Sequence, residues 1–323
     1  MGPLFTYAAT KSGGKVWSVM QPTALLIGGT GFAGSHMRTL LSPEYNVATC
    51  GRADDVRDAA KLMELVESTA PNFVVNLASV TTVRESFANP AQTYEIGFIG
   101  TLNLLKCLKA VGFKGRMLNI SSSEVYGFPT DDELPIKETA PLRPMSPYSV
   151  GKVATEALCY QWSQTEQFEI VTARPFTHIG PGQSEKFAIS TFAKQMAEIL
   201  SKQREPIIQV GNLQTTRDLT DVRDVVRAYK ELLEKGSNGE IYNVCSGKEI
   251  NLRAIVDELM RLTGVPVTIR HDEQLLRAAE QRRTCGSFEK IRKEIGWSPR
   301  IPLTRTLQDT LSYWRGKVSL QTT

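Results

Sequence analysis

The sequence predicts an α/β protein: a doubly wound parallel sheet with a smaller C-terminal α/β region. Three observations predict it. Thr23-Ala24-Leu25-Leu26-Ile27 is a short, nearly all-apolar run, as a strand covered on both faces would be. It leads into glycines at 28, 31 and 34, then into a helical pattern through Leu41. Strand-like and helix-like segments then alternate through the first half, which is how a parallel sheet with helices on both faces is written.

Composition narrows the class. The 323 residues suffice for one large domain or two interlocked ones, and 41% hydrophobic with 22% charged residues is ordinary for a globular enzyme. A net charge of +4, spread along the chain, suits an anionic ligand and falls short of a nucleic-acid footprint. No run of about 18 apolar residues predicts a membrane span, and no early apolar stretch with a cleavage site predicts a secretory leader. The five cysteines have no CxxC spacing and no metal-ligand pattern with the three histidines, so they read as reduced thiols in a cytoplasmic protein without a metal. Ser12-Gly13-Gly14-Lys15 marks residues 1–21 as a flexible tail. Residues 22–175, with a return of about 218–247, form the first domain, and 176–323 form the second region. No internal repeat appears.

In chain order, Gly28-x-x-Gly31-x-x-Gly34 meets three needs: a tight turn, close approach of backbone to a pyrophosphate, and close packing of helix on strand. The following helix start offers free N–H groups and positive dipole to the phosphates. That is a Rossmann dinucleotide site; a purely structural glycine turn is the alternative. Asn46–Cys50 is the second strand. No acid stands at its end to take a ribose 2′-hydroxyl, and Arg52 stands there instead, able to pair with a 2′-phosphate. The cofactor expected is therefore NADP(H), with NAD(H) as the alternative; a solvated loop arginine is the plain reading of Arg52. Helix 59–68 and the strand Phe73–Ala78 follow, the strand ending at the crevice edge. Thr81–Ser86 reads as a polar loop at that edge, and Ala91–Val111 as one long helix.

The strand Arg116–Ile120 ends in three serines, and Ser146-Pro147 opens a helix with Tyr148 and Lys152 four apart, on one face. A phenol near pKa 10 is a poor proton donor or acceptor at neutral pH. A neighbouring ammonium would draw it down toward the range where general acid–base catalysis is efficient. A surface Tyr and Lys on an amphipathic helix is the alternative. Beyond, Glu169–Arg174 is a strand, and the Pro- and Gly-dense stretch to Gly182 a loop. A helix over 188–202, a strand over 207–211, an Asp221-capped helix to Glu234 and a late strand Ile241–Val244 come next. Short helices over 251–262, 274–279 and 288–295 and a closing helix over 303–314 complete the chain.

Taken together, the glycine turn, Ser122 and Tyr148-x-x-x-Lys152 resemble the extended short-chain dehydrogenase/reductase family, from about residue 23 to the end. Arg174-Pro-Phe-Thr-His-Ile-Gly-Pro-Gly-Gln183, Val210-Gly-Asn-Leu-Gln-Thr-Thr-Arg-Asp218 and Tyr242-Asn-Val-Cys-Ser-Gly247 are similar to members acting on GDP-linked sugars. The resemblance implies catalysis by Ser122, Tyr148, Lys152 and Glu124. It implies a cofactor held by Gly28, Thr30, Gly31, Phe32, Ala33, Gly34, Arg52, Asp55, Val56, Leu77, Ala78, Ser79, Tyr148, Lys152, Pro175 and His178. It implies a nucleotide sugar met by Thr82, Ser123, Glu124, Thr177, Arg217, Arg277 and Glu280. Arg217 would pair with the diphosphate. Thr177 stands where the family usually has Asn, and Ala278 where it has Pro. His178 reads as a loop histidine rather than a base, and Arg282-Arg283 as a solvated face.

The implied activity is NAD(P)H-dependent reduction of the C4 ketone of a GDP-4-keto-6-deoxy-hexose. Two siblings stay open: a GDP-mannose 4,6-dehydratase, in which Glu124 would help expel water, and a nucleotide-sugar C4 epimerase. A non-catalytic dinucleotide sensor is the reading from another class. A homodimer through the helices over 91–111 and 146–166 is implied, without nucleic-acid or membrane partners.

Overall fold

A computed structural model of the protein describes residues 5–9, 15–19, 21–51, 54–80, 82–275 and 281–320. Residues 1–21 are not all irregular: β1 (Phe5–Ala9) and β2 (Lys15–Val19) pair antiparallel. The main fold starts with β3 (Thr23–Ile27), α1 (Phe32–Leu41), β4 (Asn46–Cys50), α2 (Ala59–Thr69) and β5 (Phe73–Asn76). After α3 (Val83–Ala88), α4 (Pro90–Tyr94), α5 (Gly100–Ala110), β6 (Arg116–Ile120), α6 (Pro147–Thr165) and β7 (Glu169–Pro175), the chain enters β8 (Thr177–Ile179) and α7 (Ala188–Leu200). Then come β9 (Ile207–Val210), β10 (Thr216–Asp221), α8 (Val222–Lys235), β11 (Ile241–Val244), β12 (Glu249–Asn251) and α9 (Leu252–Thr263). β13 (Thr268–His271), α10 (Glu289–Ile295) and α11 (Leu303–Leu320) complete it.

The central sheet has six strands in the order β11-β7-β6-β5-β3-β4, all parallel. Its strands are apolar because both faces are covered. Leu26, Leu118 and Val171 face α1 and α8, whereas Leu25, Val74, Met117 and Ile170 face α2, α5 and α6. Leu25 and Leu26 are fully buried; each such side chain stabilises by roughly 1.5–3 kcal/mol. From β3 the chain runs outward to β4 and returns on the other side as β5. The carboxyl ends of β3 and β5 therefore part at a topological switch point, where ligands bind in open α/β sheets.

The C-terminal region has its own core, built from α7, α9, α11, β9 and β10, with Phe192, Met196, Leu259 and Leu307 inside it. Small sheets β12-β10-β8 and β13-β9 carry its loops. Several local expectations change. The run expected as one helix over 91–111 is interrupted at Glu95–Ile99 by a π-turn. There the Gly97 carbonyl accepts the Thr101 hydroxyl at 2.6 Å and the Thr155 hydroxyl at 3.4 Å. The polar loop expected at 81–86 contains α3, whose first turn is capped by the Thr82 hydroxyl accepting from Glu85 N–H at 3.2 Å. The stretch expected as loop after Arg174 includes β8, which pairs parallel with β10. α11 runs to Leu320 rather than ending near Trp314.

Candidate active site

The site begins at the switch point. The amides of Gly28 and Gly29 donate to the Cys50 carbonyl at 2.8 and 3.1 Å, folding the chain back over β4. Gly28 has φ of 82°, a left-handed conformation that favours glycine. At Gly34 a Cβ would lie 2.5 Å from the Gly28 carbonyl oxygen and 2.7 Å from Gly29 Cα, so only glycine lets α1 pack this close to the turn. The amides of Phe32, Ala33 and Gly34 open the helix and have no carbonyl four residues back to bind. A Cβ on Gly28 would lie 3.1 Å from the backbone of Leu77 and Ala78, and one on Gly51 would lie 2.9 Å from the Thr30 methyl. These close approaches bring Gly28, Thr30, Leu77 and Ala78 to one crevice. Thr30 and Gly31 are exposed there, and Ser79 is half-buried on the same lip. The cradle fits a dinucleotide pyrophosphate on this geometry.

Across the crevice Phe32 stacks on His178, with ring centroids 5.8 Å apart and planes 2° from parallel. The His178 Nδ1 is 3.1 Å from the Phe176 carbonyl, and burial lowers the pKa of the ring. His36 Nε2 lies 2.8 Å from the Pro181 carbonyl. The start of α1 is thereby tied to β8 and the loop after it, which no periodicity in the sequence suggests. Pro175, the last residue of β7, is buried beneath it.

Ser122, Tyr148 and Lys152 are brought together by two local devices. Ser146 caps α6: its hydroxyl accepts from Ser149 N–H at 3.1 Å, and the Ser149 hydroxyl accepts from Ser146 N–H at 3.0 Å. Pro147 follows at the first helical position, so Tyr148 comes in the first turn. Ser122 caps the 3₁₀ turn Ser123–Tyr126, its hydroxyl accepting from Glu124 N–H at 3.2 Å. That same hydroxyl lies beside the Tyr148 phenol, whose charged form it favours. Lys152 is buried; its ammonium donates to the Ile120 carbonyl at 2.6 Å and lies 5.7 Å from the centre of the Tyr148 ring. Serine, tyrosine and lysine therefore meet at the carboxyl end of β6.

The electrostatics differ from expectation. Tyr148 is not drawn toward neutrality: burial pushes its pKa up to about 12, the Ser122 hydrogen bond opposes this, and the Glu124 carboxylate adds to it. Lys152 moves instead, pushed down to about 8 by burial, with Glu156 opposing. The ammonium is spent on a carbonyl and on the ring face, so desolvation of the phenol dominates. The shift favours the protonated phenol.

Other expected residues are placed less simply. The Asp55 carboxylate accepts from the Arg57 side chain at 2.6–3.0 Å, and that pairing holds its pKa down at about 2. Val56 is buried, packed where a Cβ on Gly100 would touch it. Thr177 is exposed on β8. Arg217 on β10 donates to the carbonyls of Thr216 and Gln281 at 2.7 and 2.9 Å. Ser123 and Glu124 are half-buried on the 3₁₀ turn beside Tyr148. Arg52, Arg277 and Glu280 lie outside the described residues. Among the described residues no cluster of His, Cys, Asp or Glu could hold a metal, and no helix is long and apolar enough to cross a membrane.

The model of the GDP-mannose 4,6-dehydratase family matches residues 52–310. The chain belongs to that family. A GDP-6-deoxy-D-mannose reductase from Pseudomonas aeruginosa is 38% identical over 93% of this chain and 99% of its own. A GDP-mannose 4,6-dehydratase from Yersinia enterocolitica is 26% identical over 76% of this chain and 74% of its own. The structure of RMD from Pseudomonas aeruginosa complexed with NADPH superposes with a TM-score of 0.85, at 39% identity over 91% of this chain and 99% of that one. The α/β architecture and the short-chain dehydrogenase/reductase resemblance expected from the sequence both stand. Glu156 is the buried neighbour of Ser122, Tyr148 and Lys152 that no motif in the sequence signals. It accepts from Ser121 and Arg174, a pairing visible only once β6, β7 and α6 are side by side.

Proposed function

We propose that the chain is an NADPH-dependent reductase of the C4 ketone of a GDP-4-keto-6-deoxy-hexose, yielding a product of the GDP-D-rhamnose type. The observation that carries this reading is geometric: Ser122, Tyr148 and Lys152 come together at the carboxyl end of β6, on the sheet edge to which the glycine cradle also opens. The reductase relative, similar over nearly the full length of both chains, supports the same choice.

The roles follow from the groups present. Gly28, Gly31 and Gly34, with the amides of Phe32 and Ala33, would hold the pyrophosphate, and Leu77, Ala78, Ser79, Pro175 and His178 would border the rest of the cofactor. Arg52 would take the 2′-phosphate that separates NADPH from NADH. Lys152 would hold the nicotinamide ribose. When bound, the nicotinamide supplies a hydride to C4. The Ser122 hydroxyl donates a hydrogen bond to the C4 oxygen. The Tyr148 hydroxyl gives that oxygen its proton as the C–H bond forms, so ketone, hydride and proton balance as an alcohol. The guanidinium of Arg217 would grip the diphosphate, a task its planar fork suits, with Thr82, Ser123, Thr177, Arg277 and Glu280 around the sugar and base.

Glu124 is the observation that favours a second reading. It lies close enough to Tyr148 to raise its pKa, where a 4,6-dehydratase would use a carboxylate beside the sugar. A dehydratase returns its cofactor unchanged; a reductase consumes it. Following NADPH absorbance with GDP-4-keto-6-deoxy-mannose separates them: steady oxidation supports the reductase, and none above background overturns it. We further propose a cytoplasmic homodimer, joined through the face where α4, the π-turn and α6 meet and where Tyr94, Ile99, Val150 and Tyr160 are exposed. Sedimentation of a monomer at micromolar concentration would contradict that assembly.

A further inference from the structure

We infer that the buried Glu156–Arg174 ion pair is the positioning device of the active site, holding both ends of the segment that carries Ser122 and Glu124. The pair is bidentate, Nε to Oε1 at 2.9 Å and Nη2 to Oε2 at 2.6 Å, and both side chains are at most 4% exposed. From it the structure reaches Ser122 in two directions. On one side, Glu156 accepts a short hydrogen bond from the hydroxyl of Ser121. On the other, Arg174 donates through Nη1 to the Tyr126 hydroxyl at 2.9 Å, and its guanidinium lies 4.9 Å over the Tyr126 ring. Ser121 immediately precedes Ser122, and Tyr126 ends the 3₁₀ turn Ser123–Tyr126. The segment 121–126 is therefore fastened at its first and last residues to the same pair.

The fastening is also referenced to the proton donor. Glu156 sits four residues after Lys152 on α6, and Tyr148 four before it, so all three share one face of one helix. Lys152 holds the carbonyl of Ile120 while Glu156 holds the hydroxyl of Ser121, two adjacent residues at the end of β6. Two neighbouring anchors fix both the position and the rotation of the strand end from which Ser122 departs. Beyond Tyr126 the chain of bonds continues to Asn243 Oδ1 at 2.7 Å, and from Asn243 Nδ2 to the Ile136 carbonyl at 3.0 Å. This arrangement costs desolvation of two charges and is a weak contributor to stability as such. Its geometry explains what the expenditure achieves: a hydroxyl and a carboxylate held at set distances from a phenol. Ser121, Tyr126, Glu156 and Arg174 touch no reacting atom on this account; they act through Ser122.

The inference deepens the reductase reading and rests on it only for its kinetic arm. Removing either charge would strand the other in the interior, so the informative variants are Ser121→Ala and Tyr126→Phe, which release one end each. Amide hydrogen exchange over residues 121–127 reads the bracing directly, in the unmodified chain and both variants. The expected result is exchange faster by about tenfold or more in that segment, with the rest of the central sheet unchanged. With the keto-sugar nucleotide and NADPH, kcat falls roughly 10- to 100-fold while KM stays within about threefold, as misplacement of a catalytic group gives. Unchanged exchange over 121–127 in Ser121→Ala overturns the inference, as does a loss confined to KM. If the unmodified chain oxidises no NADPH, the proposed function fails, and the exchange measurement still decides the bracing.

Discussion

The Lys152 ammonium lies 2.6 Å from the carbonyl oxygen of Ile120, the residue two before Ser122. A charged donor at that distance contributes a strong hydrogen bond, and it exists only while the amine is protonated. Burial has pushed the Lys152 pKa down to about 8, the opposing groups being Glu156 and Cys159 on its own helix. The sign follows: the ammonium is complete below pH 8 and is lost as pH rises through it. We expect kcat to fall along an alkaline limb near pH 8. In Lys152→Arg, whose guanidinium stays charged, the residual rate should show no limb there; a pH–rate profile of both enzymes checks it.

Tyr148→Phe removes the proton donor and leaves the cradle untouched. Turnover should drop by about 10²- to 10⁴-fold, the usual contribution of one positioned acid or base. NADPH affinity, followed by fluorescence titration, should change little. Retained turnover would mean that another group supplies the proton.

Gly34→Ala tests the cradle. Its new methyl would lie 2.5 Å from the Gly28 carbonyl, and both partners are backbone that cannot step aside cheaply. We expect a stability loss of about 1–3 kcal/mol, as overpacking gives, with NADPH binding weakened at least about tenfold. Denaturant melts and cofactor titration measure the two separately.

Glu124→Gln removes the carboxylate that helps hold the Tyr148 pKa high. A reductase keeps most of its rate, because its acid stays protonated at neutral pH either way. An enzyme that expels water from the sugar loses its activity. Product analysis by mass spectrometry distinguishes these outcomes.

Arg217→Lys keeps the charge and loses the planar fork. KM for the nucleotide sugar should rise by roughly 10- to 100-fold with NADPH affinity unchanged. Equal effects on both ligands would place Arg217 in fold maintenance rather than diphosphate binding.

The glycine turn, the Tyr148–Lys152 face and the covered strands were legible in the sequence. Gly28, Gly31 and Gly34 announce a close backbone approach, Tyr148 and Lys152 share a helical face by spacing alone, and the apolar runs of β3, β5 and β6 read directly as covered strands. What was not legible depends on contacts distant in sequence. Within the π-turn, Gly97 meets Thr155, 58 residues away. β8 hides in a Pro- and Gly-rich stretch because its pairing partner is β10. The pKa of Tyr148 was expected to fall because two residues on a helix reveal the ammonium but not the burial that outweighs it. Glu156 was invisible for the same reason: an acid on an amphipathic helix looks solvated until Arg174 is found against it.

The central claim is that C4 of a keto-sugar nucleotide receives hydride from NADPH beside a protonated Tyr148. NADPH deuterated at the transferring position, incubated with GDP-4-keto-6-deoxy-mannose and the purified chain, tests it most directly. The account predicts one deuterium at C4 of the sugar per NADPH consumed. Sugar recovered without deuterium at C4, or deuterium retained in the cofactor, would contradict it.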